Sequence, residues 1–181
     1  MPSIKTISVV IFILFSSFTV IANDSPPRDP YKYFFDESWG DMQEELDNAR
    51  NGQKKGILVF FEMDECPFCH YMKSFILNQK SVQDYYKQHF LIFSIDIEGD
   101  IEMVNFQGKT LRQKDFAVKQ NRVRATPVFA FFDLEGKRIH RLIGKTKNAE
   151  EFMLLGSYVA DGEYMNMPFI KYKKMMRKKK T

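Results

Sequence analysis

The two cysteines of this 181-residue chain stand three positions apart, in Cys66-Pro67-Phe68-Cys69, with His70 immediately after them. Two thiols at that spacing make a redox pair: one attacks a disulfide, and the other resolves the mixed disulfide that results. With His70 the same residues also read C-x-x-C-H, the attachment pattern for a c-type haem. In that reading His70 is the proximal ligand, Met165 or Met167 the distal one, and the protein an electron carrier. A structural staple is a poor third choice, because so short a loop removes little unfolded-state entropy. Zinc needs more ligands, and His70, His89 and His140 follow no recognisable ligand spacing, so no metal site is assigned.

The elements around the pair favour thiol chemistry. ILVFFE (57–62) is a short apolar run of the kind found in a strand buried on both faces. A helix starting at Cys66 takes Pro67 at its first position, where the missing N–H costs nothing. Cys66 then sits beside the unpaired amides of the helix N-terminus, whose partial positive charge favours a thiolate. Cys69 lies one turn deeper on the same side. Cys66 is thus the candidate nucleophile and Cys69 the resolving thiol. A c-type haem site has no need of such a strand, or of Arg124-Ala125-Thr126-Pro127 ahead of the apolar run VFAFF. Proline belongs at the first residue of a strand, and a cis Thr126–Pro127 bond fits there.

The remaining pattern alternates helices and strands. Ser38 with Asp41 reads as a capping box for a helix carrying Trp39, Met42, Leu46 and Ala49, stopped by Gly52. The helix from Cys66 carries Met72, Phe75 and Ile76, and Ser81 with Asp84 marks a short helix after it. FLIFSID (90–96) is a second buried strand, and 101–111 suits a small hairpin around Gln107-Gly108. A polar helix over about 112–121 leads to the third buried strand, and a turn at 134–137 to a half-exposed strand over 138–144. Asn148 with Glu151 caps a last main helix bearing Phe152, Leu155 and Val159. Buried strands joined through a helix pair parallel, and strands joined by a four-residue turn pair antiparallel. The expected class is α/β, a mixed central sheet with helices on both faces.

The C-x-x-C opening one helix, Val123-Arg124-Ala125-Thr126-Pro127 before a later strand, and Gly144 after the last strand together resemble the thioredoxin superfamily, from about Trp39 to Val159. The insert IEMVNFQGKTLRQKDF and the ending YVADGEYMNMPFIKY are similar to the exported bacterial thioredoxins of the SoxW type. The resemblance implies a thioredoxin fold and thiol-disulfide exchange without a cofactor. It implies that Thr126 and Pro127 pack against the cysteines, pair with extended substrate chain, and keep metal from the thiols. Pro67 and Phe68 are the other expected substrate contacts. Partners implied are disulfide-bearing proteins and a membrane thiol electron donor. Thr126 before the proline resembles exported reductases and isomerases more than oxidases; a reductase is the first reading, with oxidase or isomerase activity the alternative. A non-catalytic module that holds an extended peptide in the Thr126–Pro127 groove is an alternative of another class. Glu65 stands where thioredoxins carry Trp, and Phe60 where they bury an Asp. Glu62, Asp64 and Glu65 are the candidate substitutes for that acid, and the expectation is that all three are solvated, as is His70.

Before the domain, a single Lys5 precedes an apolar run from Ile7 to Ala22, and Val20-Ile21-Ala22 offers a cleavage site ahead of NDSPPRDP. That is the pattern of a secretory signal over 1–22, so the expected location is the periplasm. The expected organisation is a linker over 23–36, one domain over 37–165, and a basic tail over 166–181. Of the total charge of +4, Lys5 supplies +1 and KYKKMMRKKKT supplies +7, which leaves the rest at −4. That tail is read as a frayed, solvated helix end rather than a contact for anionic lipid or acidic partners. No basic stripe interleaved with aromatics suggests nucleic acid. No dimerisation domain is visible, and a monomer is expected.

Overall fold

The computed structural model describes residues 26–179; the expected signal segment lies outside the described residues. The elements in chain order are α1 (Pro30–Tyr33), α2 (Met42–Asn51), β1 (Gly56–Glu62), α3 (Pro67–Phe75), α4 (Lys80–His89), β2 (Phe90–Asp96), β3 (Glu102–Val104) and β4 (Thr110–Arg112). There follow α5 (Gln113–Asp115) running into a π-helical turn over Phe116–Gln120, β5 (Val128–Phe132), β6 (Arg138–Ile143), α6 (Ala149–Ala160), a 3-10 turn at Glu163–Met165, and α7 (Phe169–Lys179). No helix of the described residues is long and apolar enough to cross a membrane.

The main sheet has the order β2-β1-β5-β6. β1 and β2 run parallel across α3 and α4, while β5 is antiparallel to β1 and to β6. Every residue of β1 is buried, because the sheet is covered on both sides. Alternation sorts the side chains. Leu58 and Phe60 face a core built with α3, α4, α6 and α7; Ile57, Val59 and Phe61 face a second core with α2, the β3–β4 hairpin and Phe116. The mixed sheet with helices on both faces is the expected class.

Several local expectations are corrected. Asp41, not Ser38, caps α2 by accepting from the Gln43 and Glu44 amides, and Trp39 precedes the helix at 99% exposure. Helix α4 starts at Lys80 without a side-chain cap, and Asp84 instead pairs with Lys80 and Arg28. Phe75 is exposed beside Tyr71, and Ile76 takes the core position. The segment at 112–121 is not polar throughout, since Phe116 and Ala117 are buried.

The two flanks differ most. The linker assignment fails from residue 30 onward: Phe34 and Phe35 enter the core, with Phe34 packed on Tyr86 and Phe152. Backbone bonds Arg28 N–H to Asn78 O and Asp36 N–H to Ile92 O, at 2.8 and 2.7 Å, fasten the segment on both sides. The tail is not frayed either, because Phe169 and Tyr172 are buried against Tyr158 of α6. Aromatic residues set at helical spacing among the lysines give α7 an apolar face to bury.

Candidate active site

The sheet register brings three loops to one end. Phe61 lies opposite Val128 across β1 and β5, and Val128 lies opposite Ile143 across β5 and β6. The turn carrying Cys66, the loop Arg124–Pro127 and the loop starting at Gly144 therefore leave the sheet side by side. The Thr126–Pro127 bond is cis, and the Pro127 carbonyl accepts from Gly144 N–H at 2.8 Å. The third loop is tied to α3, where Tyr71 donates to the Lys147 carbonyl at 3.1 Å and the Thr146 hydroxyl lies 3.8 Å from Met72 Sδ.

Cys66 is the N-cap of α3, in extended backbone, and Pro67 is the first helical residue. Its sulfur accepts from the Cys69 amide at 3.0 Å, so one unpaired N–H of the helix start is spent on it. The two cysteines form a disulfide with their Cα atoms 5.2 Å apart, within the ordinary range. Cys66 is 5% exposed and Cys69 1%, so both residues are buried in the oxidised form.

Around them, Pro67 is exposed and Phe68 is 53% exposed. Lys145 from the third loop stands over Tyr71 and Phe68, 4.2 and 5.9 Å from the ring centroids. The Thr126 hydroxyl is buried with no partner, while Pro127 is buried beside it. His70 is exposed, its Nε2 3.3 Å from Ser74 Oγ.

The acids separate sharply. Asp64 and Glu65 are exposed, as expected. Glu62 is not solvated: it is 8% exposed and accepts from Lys73 Nζ at 2.5 Å, from Tyr31 OH at 3.2 Å, and from Ser94 Oγ. Lys73 also donates to Tyr31 OH at 2.6 Å. Burial works against the Lys73 ammonium, but its bonds to Glu62 and Tyr31 outweigh that and raise its pKa. Burial raises the Tyr31 phenol. Phe60, where a buried acid stands in the resembled family, lies fully in the core against Phe35 and Phe129. Tyr31, Lys73 and Ser94 were not legible as partners of Glu62; the available signal was a carboxylate closing an otherwise apolar strand. Lys145 left no signal beyond its place after Gly144.

The haem reading fails on its donor set. Thioether attachment uses both cysteine sulfurs, and here they are bonded to each other. Met165 is 74% exposed, and Met167 packs with its carbonyl held by Tyr158 OH at 2.7 Å. Among the described residues no group of three or more His, Cys, Asp or Glu is arranged to hold a metal ion.

The model of a thioredoxin-like domain matches residues 42–160. The chain belongs to that family. A thioredoxin-fold protein from Helicobacter pylori is similar at 23% identity over 68% of this chain and 87% of its own, with a TM-score of 0.58. A DsbH oxidoreductase superposes at 0.54, with 19% identity over 72% of this chain and 88% of its own. A Thermus thermophilus thioredoxin superposes at 0.51, with 22% identity over 64% and 81%. At these identities the likeness establishes the thioredoxin fold. Curated protein sequences give no match. Within this thioredoxin-like domain the structure brings Cys66, Cys69, Pro67, Phe68, Thr126 and Pro127 to one end of the sheet, and leaves His70 facing solvent.

Proposed function

We propose that this thioredoxin-like protein is a thiol-disulfide oxidoreductase of the bacterial periplasm, of the SoxW type, that reduces protein disulfides as a monomer. The observation that carries the reading is the Cys66–Cys69 disulfide at the start of α3, flanked by the Thr126–Pro127 loop. In the reduced protein the Cys66 thiolate attacks one sulfur of a substrate disulfide, and the other substrate sulfur leaves as a thiolate. Cys69 then loses its proton and attacks Cys66 Sγ, which releases the second substrate thiolate and restores the disulfide seen here. Two electrons pass from the pair to the substrate. A dithiol donor must return them, and a membrane protein carrying cytoplasmic electrons fits an exported reductase.

Phe68, Tyr71 and Lys145 border the pair and supply an aromatic and cationic rim for substrate. The backbone of the Thr126–Pro127 loop supports an extended substrate segment beside the pair. The test is the reduction potential of the protein, equilibrated across glutathione ratios and read by alkylation. A value near about −270 mV is expected for a reductase, whereas about −120 mV assigns an oxidant. A Cys69→Ser variant should accumulate mixed disulfides through Cys66. If substrate binding persists in Cys66→Ser and the wild type turns nothing over, the protein is a peptide-holding module instead.

A further inference from the structure

Helix α7 has two faces, and one is fully committed to the domain. Phe169 and Tyr172 are buried, with their rings 5.2 and 5.4 Å from that of Tyr158. The Tyr172 hydroxyl lies 3.3 Å from Ser157 Oγ, and Met175 and Met176 pack on the same core. Lys173, on the edge of this face, forms an ion pair with Glu151 of α6. These contacts fix the rotation of the helix about its own axis.

The opposite face is therefore fixed too. Ile170, Lys174 and Lys178 follow one another at four-residue spacing along a single row, and Lys171 stands beside them; all four are exposed. Ile170 is 65% exposed, and Met165, just before the helix, 74%. No acidic residue follows Glu163, so nothing within the stripe neutralises it.

From this we infer that the outer face of α7 is a docking surface for anionic lipid headgroups at a membrane surface. Lysines are compact point charges that suit diffuse headgroup charge, whereas paired phosphate recognition favours Arg. The stripe shows no exposed aromatic on which a nucleobase would stack. Ile170, in the same row, gives it instead an apolar side chain able to enter the headgroup–acyl boundary. Since the inner face of α7 is already packed, the helix docks as part of the rigid domain and brings the domain with it. This surface is separate from the cysteine site and does not depend on the function proposed for it.

The experiment uses residues 23–181, which contain the whole described fold, and vesicles of phosphatidylcholine with or without phosphatidylglycerol. Co-sedimentation is expected only with phosphatidylglycerol, and weaker in 0.5 M than in 0.05 M salt. Replacing Lys171, Lys174 and Lys178 by Gln should weaken binding on the order of a hundredfold, with thermal stability and thiol exchange unchanged. Ile170→Asn should weaken binding while keeping its salt dependence. Equal binding to both vesicles, no binding to either, or a triple variant that binds like the wild type overturns the inference. So does tighter binding to poly-glutamate or to DNA than to the anionic vesicles, which would assign the stripe to another class of partner.

Discussion

Replacing Phe34 by Ala tests whether the segment before α2 is core or connector. Phe34 is fully buried, with its ring centroid 5.2 Å from Phe35, 5.7 Å from Tyr86 and 6.2 Å from Phe152. Truncation removes the transfer free energy of a phenyl ring and leaves a void, together about 3–5 kcal/mol at a core site. The void closes poorly here. Arg28 and Asp36 pin the segment from both sides through backbone bonds, and Tyr86 is itself held by its bond to the Phe152 carbonyl at 2.6 Å. The upper half of that range is therefore expected, a large part of the roughly 5–15 kcal/mol by which a domain is stable.

Urea titration of the oxidised protein should show a lower midpoint with an unchanged slope. In a thermal scan the same loss should lower Tm by roughly 8–20 °C for a domain of this size. Tyr33→Ala is the control. Tyr33 is 37% exposed and touches mainly Arg28, and it should cost less than about 1 kcal/mol. A Phe34→Ala loss under about 0.5 kcal/mol would refute the reasoning and return residues 30–36 to the status of a linker.

Three further outcomes follow from buried or strained groups. Lys73→Met removes the cation paired with the Glu62 carboxylate, whose side chain is 11% exposed. Because Tyr31 and Ser94 still donate to it, the loss should be roughly 1.5–3 kcal/mol in urea rather than that of a fully orphaned charge, and a neutral result would mean the pair is solvated. His140 lies under α7 between Phe131, Tyr158 and Phe169 with Nε2 unpartnered, and burial lowers its pKa below 6.5. The unfolded chain then takes up this proton first. Stability should be level through this group above pH 6.5 and fall as the pH drops below it, and His140→Leu should remove that part of the acid limb; an unchanged slope between pH 7.5 and 5 would contradict it. Gly136 has φ +75°, and a Cβ there would lie 2.6 Å from Phe106 Cβ, whereas Gly144 has φ +88° with nothing within 4 Å. Ala should cost about 1–2 kcal/mol at 144 from backbone strain alone and clearly more at 136; equal losses in thermal melts would show that the Phe106 contact is soft.

Strands β1 and β5 were legible because each is an apolar run of the kind a doubly covered sheet requires, and β6 because its polar and apolar residues mark a half-exposed edge. The cysteine pair and Thr126–Pro127 were legible because both punctuate an element boundary. Asn148 was read correctly as a cap, and its side chain accepts from Glu151 N–H at 3.0 Å. Ser38 and Ser81 were misread because any Ser or Asp near a helix start satisfies the same local pattern, and only the backbone decides which one reaches the free amides. The flanks were misjudged for a different reason. Composition marks the Pro-rich stretch over 23–36 as connector and the Lys-rich ending as solvent-facing, yet Phe34 and Phe35 in the first, and Phe169 and Tyr172 at helical spacing where the second begins, are enough to bury one side of each. Short amphipathic pieces take their order from the core they land on, and that core is distant in sequence.

The Glu62 cluster was invisible for the same reason, and it bears on how the pair works. Residues two apart on a strand share a face, so Glu62 keeps the face of Phe60 and stands one step nearer the cysteine turn. There it is bonded to Lys73 of α3, Tyr31 of α1 and Ser94 of β2, and so it fastens the N-terminal segment and the redox helix to the sheet. In the proposed reaction the charge on Cys66 is then met by the helix start itself, through the Cys69 amide already directed at its sulfur. Asp64 and Glu65 oppose that charge only from solvent, where their fields are screened. Thiolate stabilisation thus rests on backbone, which no side-chain substitution removes.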